Sequence, residues 1–262
     1  MTAYFERLSE TAFRATRATE GAWNVAEQHI APTFGLLAHL IQLEHASRHE
    51  HPLALAKVTY DILGVIPIDV VEVQVRVLRP GRTIELIEAT LSHDGRPAAI
   101  GRAWFLKPHE TADVAGSALP AMPARDGMPK WDAPGWPGAF VRTPDIRRIE
   151  EFPGRAHAWV LPLLPLIEGE QVSATARMLG YVDLANGLTP RVSPSEVAFP
   201  NLDLSAHLLR EPVGDWIGFD TTMSIGPAGL GITHTVLHDE EGPVGTSVQE
   251  LTIRPLRAPS GS

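Results

Sequence analysis

Apolar and polar residues alternate in the middle of the first half of the chain. Over residues 71–77 every second position is valine, and the positions between are Glu, Gln and Arg. Because successive side chains of a strand point to opposite faces, this period of two predicts a strand with one buried face. A Pro-Gly turn follows at 80–81. Further strands are predicted at residues 84–91 and 98–106, joined by a hairpin turn at 93–96.

The second half of the chain repeats this order of elements. Residues 202–208 again alternate, and strands are predicted at 217–224, 231–237 and 244–253. Laying Gly95 of the first hairpin turn on Gly242 brings Pro108 onto Pro255 without a gap. Each half also has one helix candidate, at 33–47 and 173–187, and one opening strand, at 13–25 and 155–164. The sequence therefore predicts one plan used twice.

A strand, one helix and a run of antiparallel strands predict a curved sheet wrapped around a central helix, the hotdog arrangement. Two copies predict an α+β tandem double hotdog, with two antiparallel sheets that each wrap one long helix and can join edge to edge. The stretch between the copies is rich in Pro, Gly and Ala, which favours an extended connector. We expect an N-terminal hotdog at 1–108, a Pro-rich connector at 109–144 and a C-terminal hotdog at 145–262.

Composition narrows the classes of function. Cysteine is absent, which excludes disulfides, thiolate catalysis and cysteine metal sites. The net charge of -9 repels polyanions, so no nucleic-acid partner is expected. The first residues lack the basic start and apolar run of a secretory signal, and the most apolar stretch, 159–167, contains two prolines and is far shorter than the ~20 residues of a membrane span. A cytoplasmic protein without membrane insertion is predicted.

Several short segments of the second half resemble a known family. They are FPNLDL at 199–204, GDWIG at 214–218, SIG at 224–226, GPVGTSVQ at 242–249 and DLANG at 183–187. Together they resemble the double-hotdog, type II acyl-CoA thioesterases. The resemblance implies an acyl-CoA substrate, hydrolysis to free acid and CoA, and no cofactor, and it allows a homo-oligomer.

The resemblance also implies catalytic residues. In the type II enzymes an Asp, a Thr or Ser and a Gln of the C-terminal hotdog are thought to hold the hydrolytic water. Carried over by position, these are Asp203 as base, Ser224 to fix a hydrogen bond and Gln249 to orient the water. Thr222 shares the strand face of Ser224, so either hydroxyl could serve. A thioester is already activated, so a placed water, a proton acceptor and oxyanion donors suffice.

Substrate-binding residues are expected on both helices. The start of the first helix, near Phe34 and Gly35, would offer backbone N–H groups to the oxyanion. Asp183 and Asn186 lie one turn apart on the second helix and so share a face. They would line the acyl or pantetheine tunnel, or alternatively cap the helix before Gly187.

Two other constellations were weighed. Asp203, Ser205 and His207 suggest a hydrolytic triad, but residues two apart on a strand sit roughly 6.6 Å apart and point in parallel, so they cannot chain hydrogen bonds. His45 and His49 can share a helix face, yet no HExxH pattern or third ligand accompanies them. No metal site is predicted, and a solvated helix end is expected there.

Three functions fit this fold. The first is acyl-CoA hydrolysis, the second a non-catalytic acyl-CoA or fatty-acyl binding protein, and the third a hydratase or dehydratase. The third needs a His-Asp pair in a matching motif, which we do not find. A helix start with two free N–H groups opposite Asp203 would favour hydrolysis over binding. The aligned N-terminal positions are Glu72 and Arg102, so at most one site per chain is expected.

Overall fold

A computed structural model describes residues 3–256 of the protein. In chain order the elements are β1 Phe5–Arg7, β2 Ala12–Ala15, α1 Ile30–Ser47, β3 Ala54–Ile62, β4 Val70–Arg79, β5 Ile84–His93, β6 Arg96–Leu106, β7 Asp145–Phe152, β8 Arg155–Leu161, α2 Ala174–Leu179, α3 Ala185–Leu188, β9 Val197–Ala198, β10 Asp203–Leu208, β11 Ile217–Ile225, β12 Leu230–Asp239, β13 Gly242–Thr252 and β14 Arg254–Pro255. The α+β class is confirmed.

β9 pairs with β14 in a small two-stranded sheet, and the other strands form one continuous antiparallel sheet. Its twelve strands run β1-β2-β4-β5-β6-β3-β10-β13-β12-β11-β8-β7. The two halves meet where β3 pairs with β10, from Asp61 opposite Asp203 to Lys57 opposite His207. The two predicted sheets are therefore joined edge to edge, as the tandem repeat allowed. Edge-to-edge joining satisfies the backbone groups that two free edge strands would leave unpaired.

Helix α1 is buried on almost every side. It starts three residues before the predicted position because His29 caps it, its Nδ1 accepting the Ala31 N–H at 3.2 Å. From Ala31 to Ile41 every residue of the helix is buried. A helix that is apolar all round belongs inside a core, and here the N-terminal half of the sheet wraps it.

The second helix is not one long helix. The predicted segment 173–187 contains α2, a 3-10 turn at Val182–Leu184 and α3, so the expectation of one long helix per half is wrong for this half. The break begins at Gly180, which ends α2. A Cβ on Gly35 of α1 would come 2.9 Å from the Cα of Gly180, so the two helices cross at a contact only glycine allows. The break turns Asp183 inward.

The connector is irregular and packs against both halves, since the Phe140 N–H donates to the Glu20 carbonyl of the first half. Its regular structure within 109–144 is limited to 3-10 turns at Ala112–Val114 and Phe140–Arg142. His238 donates from Nε2 to the carbonyl of Pro120 at 2.9 Å, and the Trp159 indole donates to that of Pro123 at 3.0 Å. Further along, Trp136 is buried, so the connector closes part of the core. Among residues 3–256, no helix has both the length and the apolar character to cross a bilayer.

Candidate active site

Asp183 lies at the centre of a buried polar cluster. It sits in the 3-10 turn between α2 and α3 and is only 4% exposed. Its Oδ1 accepts two hydrogen bonds, from Asn201 Nδ2 at 2.6 Å and from Gln249 Nε2 at 2.9 Å. Asn201 comes just before β10 and Gln249 lies on β13. Two separate parts of the C-terminal half therefore donate to one carboxylate oxygen, which belongs to a third part.

The surroundings bring the pKa of Asp183 close to neutrality. Burial disfavours the charged form and raises the pKa, while the hydrogen bonds from Asn201 and Gln249 act in the opposite direction. The balance raises the pKa of this carboxyl from 3.8 to about 7. Its second oxygen, Oδ2, accepts no hydrogen bond from the residues that the structure describes. An unengaged oxygen with a near-neutral pKa suits a general base.

His29 packs beside this carboxyl as a neutral ring. Its Nδ1 lies 3.6 Å from Asp183 Oδ2, which is too long for a hydrogen bond. Burial lowers the pKa of His29 to about 3, so the pair is not an ion pair at neutral pH. Because Nδ1 accepts the Ala31 N–H, the ring proton belongs on Nε2. The ring also packs at a tilt against Phe140, with centroids 4.5 Å apart, which restricts its orientation.

The start of α1 offers one backbone donor to this region. The His29 N–H donates to the Thr19 carbonyl, the Ala31 N–H to His29, and Pro32 has no N–H. Within the described part of the chain, the Ile30 N–H has no hydrogen-bond partner, and Ile30 lines the same cavity as Asp183. The positive end of the helix dipole, at the same place, also attracts a negative charge.

A cavity of about 170 Å³ opens onto the cluster. Its walls come from the loop before α1, the loop after β3, the connector and the segment from Asp183 to Leu188. Most of the lining is apolar, and it includes three of the six tryptophans, Trp23, Trp131 and Trp136. The polar lining includes Asp183, Asn186 and Asn201, together with residues 24 and 27–29. The cavity can hold an apolar group next to a carboxylate.

The predicted trio of Asp203, Ser224 and Gln249 does not converge. Asp203 accepts the backbone N–H of Glu250 at 2.8 Å, and on β10 it points away from the buried Leu204. Its carboxylate therefore supports the pairing of β10 with β13. The structure gives Asp203 a contact within the sheet and none with Gln249, and its base role stays a prediction.

The two candidate hydroxyls lie on the opposite face from Gln249. Gln249 pairs with Thr233, which in turn pairs with Met223, and all three side chains are buried. Ser224 and Thr222 alternate with Met223 along β11 and are exposed. Neither hydroxyl can reach the side chain of Gln249 through the sheet, so the structure does not bring the predicted hydroxyl and Gln249 together.

The predicted residues of the first helix serve packing. Phe34 is fully buried, its ring stacks on Tyr60 with centroids 4.1 Å apart, and its carbonyl accepts the Tyr60 hydroxyl at 2.9 Å. Gly35 lies at the crossing with α2. Both residues lie inside α1, where N–H groups are engaged in the helix. Oxyanion donors are therefore not available at Phe34 and Gly35, and the free donor is at Ile30.

Asp183 and Asn186 do line the cavity, whereas Asn201 and His29 were missed. Asn201 belongs to the FPNLDL segment that carries the family resemblance, in which only Asp203 was predicted as a site residue. For Asp183 the available signal was a single carboxyl within the otherwise uncharged segment 178–188. A lone carboxyl among apolar residues indicates a buried, perturbed group.

The cluster of His45 and His49 is a buried group of side chains around Glu85 rather than a solvated helix end. His45 Nδ1 lies 2.5 Å from Glu85 Oε2, and His45 Nε2 accepts the Leu53 N–H at 2.8 Å. His49 and Arg48 also contact Glu85, which is fully buried. Since Nε2 accepts, the proton of His45 lies on Nδ1 and faces Glu85. A metal ligand at Nδ1 would need the opposite protonation, so the geometry does not suit an ion.

The family model for the acyl-CoA thioesterase C-terminal domain matches residues 116–253, and that for the N-terminal domain matches 19–106. No curated protein sequence matches the chain significantly.

Solved structures of similar fold cover nearly the whole chain. A candidate thioesterase from Novosphingobium aromaticivorans superposes with a TM-score of 0.73 at 16% identity, covering 98% of this chain and 100% of its own. A hotdog protein of unknown function from Alicyclobacillus acidocaldarius gives 0.73 at 14%, with 97% and 96% covered. An acyl-CoA thioesterase II from Mycobacterium marinum gives 0.69 at 18%, with 98% and 97% covered. These likenesses establish the hotdog fold, and the two family matches show that the chain belongs to the acyl-CoA thioesterase family.

Proposed function

We propose that this protein hydrolyses acyl-CoA thioesters by direct attack of a water molecule activated by Asp183. The observation that carries the proposal is the cluster at this carboxyl. Asn201 and Gln249 hold Oδ1, and Oδ2 is left free beside an apolar cavity. Family membership supports the reaction class, and the geometry supports these residues.

The steps follow from the positions of the groups. Asp183 Oδ2 takes a proton from water while the water oxygen bonds to the thioester carbonyl carbon. The Ile30 N–H at the positive end of α1 is placed to stabilise the resulting oxyanion. The intermediate collapses, the C–S bond breaks, and the proton on Asp183 passes to the departing thiolate. Free acid and CoA result, and the carboxylate is regenerated.

Gln249 and Asn201 position the base. Each has an amide N–H on the same carboxylate oxygen, which fixes the plane of the carboxyl and leaves one oxygen for water. The family resemblance also implied Gln249, there as the residue that orients the water. Asn201, rather than the predicted hydroxyl of Ser224 or Thr222, makes the second side-chain contact to the carboxylate.

Thiol release from a panel of acyl-CoAs tests the proposal, using two matched variants. Asp183→Asn should lower kcat by about 10²- to 10⁴-fold, the usual contribution of a general base. Asp203→Asn keeps a carbonyl oxygen for the Glu250 N–H and should stay within about threefold of the wild type. The proposal fails if no acyl-CoA is hydrolysed, or if Asp203→Asn rather than Asp183→Asn removes activity.

A further inference from the structure

The cavity beside Asp183 suits an acyl group better than the nucleotide of CoA. Trp23, Trp131 and Trp136 line it together with aliphatic side chains, and no Lys or Arg lines it within residues 3–256. A phosphate-bearing nucleotide needs cationic partners, whereas an apolar chain gains by burial against such walls. The acyl arm of a thioester therefore occupies this cavity once the carbonyl reaches Asp183.

The volume of the cavity limits the size of the acyl group that fits. This volume is about 170 Å³. A protein cavity of about 150 Å³ lined by apolar side chains binds benzene, a ring of six carbons. A twelve-carbon chain needs roughly twice that space on the same scale. The cavity therefore takes one aromatic ring or a chain of about six carbons.

The inner wall cannot easily move outward. Trp136 is 5% exposed and packs edge to face against Trp23, with ring centroids 4.9 Å apart, and against Phe199 at 6.0 Å. Phe199 is fully buried, so deepening the cavity would break an aromatic cluster in the core. At the rim, Val65 is 70% exposed, and a longer chain would meet solvent there. An acyl chain that extends further, either inward against Trp136 or outward past Val65, therefore buries few additional methylene groups.

We propose that this protein selects compact acyl groups, with one aromatic ring or about six carbons, over long-chain fatty acyl groups. The inference rests on the proposed function, because it assumes that the thioester carbonyl sits at Asp183. The same cavity and the same carboxyl then determine both where the bond is cleaved and which acyl groups are accepted.

Measuring kcat/KM over acetyl-, butyryl-, hexanoyl-, dodecanoyl- and phenylacetyl-CoA tests the size limit. From acetyl to hexanoyl we expect a rise of about fourfold for each methylene buried. Dodecanoyl-CoA should give no further rise, and phenylacetyl-CoA should equal or exceed hexanoyl-CoA. A value for dodecanoyl-CoA that exceeds the hexanoyl value by tenfold or more would overturn the inference.

Gly187→Ala tests whether this cavity sets the limit. Gly187 lines the cavity inside α3, and a Cβ there would lie 3.7 Å from Trp136 Cζ2, an ordinary contact, so the methyl group fits but takes up space. The ratio of hexanoyl to butyryl kcat/KM should fall by about fourfold, the equivalent of one methylene. The control is Gly116→Ala in the connector, where a Cβ meets nothing within 4 Å. An unchanged ratio in Gly187→Ala, or an equal fall in the control, contradicts the inference.

Binding separates this inference from the proposed function. Dissociation constants of hexanoyl- and dodecanoyl-CoA for Asp183→Asn, measured by calorimetry, report cavity size without turnover. Hydrolysis that favours dodecanoyl-CoA refutes the size limit and leaves the hydrolase standing. Absence of hydrolysis, together with equal affinity for the two acyl-CoAs, refutes the hydrolase and supports the size limit. Tenfold tighter binding of dodecanoyl-CoA refutes the size limit whatever the activity.

Discussion

Replacing Asp183 with asparagine removes a buried charge while keeping the shape of the side chain. The amide oxygen can still accept from Asn201 and Gln249 at the Oδ1 position. Its NH2 group would face His29 Nδ1, whose one lone pair already accepts the Ala31 N–H. The substitution therefore isolates the cost of ionising this carboxyl within the native state.

The size and sign of that cost follow from the pKa. Folding raises the pKa of Asp183 from 3.8 to about 7, so ionisation costs the native state about 4 kcal/mol at about 1.4 kcal/mol per pH unit. Below the unfolded pKa both states are protonated and the cost is absent, whereas it is fully developed above the folded pKa. We expect Asp183→Asn to be more stable than the wild type by about 4 kcal/mol at about pH 8, and by less than half of that at about pH 5.

Urea unfolding at these two pH values measures the difference. The same variant should have lost its thioesterase activity, so a gain in stability would accompany a loss of function. A variant that is no more stable than the wild type at the higher pH would refute the reasoning. So would a stability gain of equal size at both pH values, since the effect would then not come from ionisation.

Three further predictions concern the site and the core. Because Asp183 must be ionised to act as base, kcat/KM should rise with pH through about 7, and a profile that is flat between about pH 5 and 9 would contradict this. Glu85→Gln should lower the free energy of unfolding by about 2 to 4 kcal/mol in urea titrations, because Glu85 is fully buried and contacts His45 at 2.5 Å. Gly35→Ala should cost about 1 to 3 kcal/mol, because its Cβ would come 2.9 Å from the Cα of Gly180, and an unchanged melting temperature would show that the helices shift freely.

Strand positions could be predicted because local signals fix them. The valines over residues 71–77 and the hairpin turn at Gly95 depend only on near neighbours in sequence. Pairing between β3 and β10 joins positions about 140 residues apart, and no local pattern indicates it. The break in the second helix also went unpredicted, since the apolar pattern continues through Gly180 and only the contact with α1 makes glycine necessary there.

The candidate site was predictable only in part. Gln249 stands out as an amide on an otherwise apolar strand, and it does reach Asp183. Ser224 was misplaced because β11 carries hydroxyls on both faces, with Thr221 buried and Thr222 exposed. An alternating pattern shows which side chains share a face of the strand, but not which of the two faces packs on the helix. Which hydroxyl could join the site depends on the position of the Asp183 carboxyl, and Asp183 lies on a different element.

The seam between β3 and β10 limits how the molecule can admit a substrate. Five residue pairs join the two strands at this seam. A hinge that swings one half away from the other would have to break this ladder and expose both strand edges. Access to Asp183 must therefore come from segments outside the ladder, such as the loop before α1 and the connector that carries Trp131 and Trp136. Local fluctuations of these segments, rather than a hinge motion between the two halves, would then set the rate at which substrate enters and acid leaves.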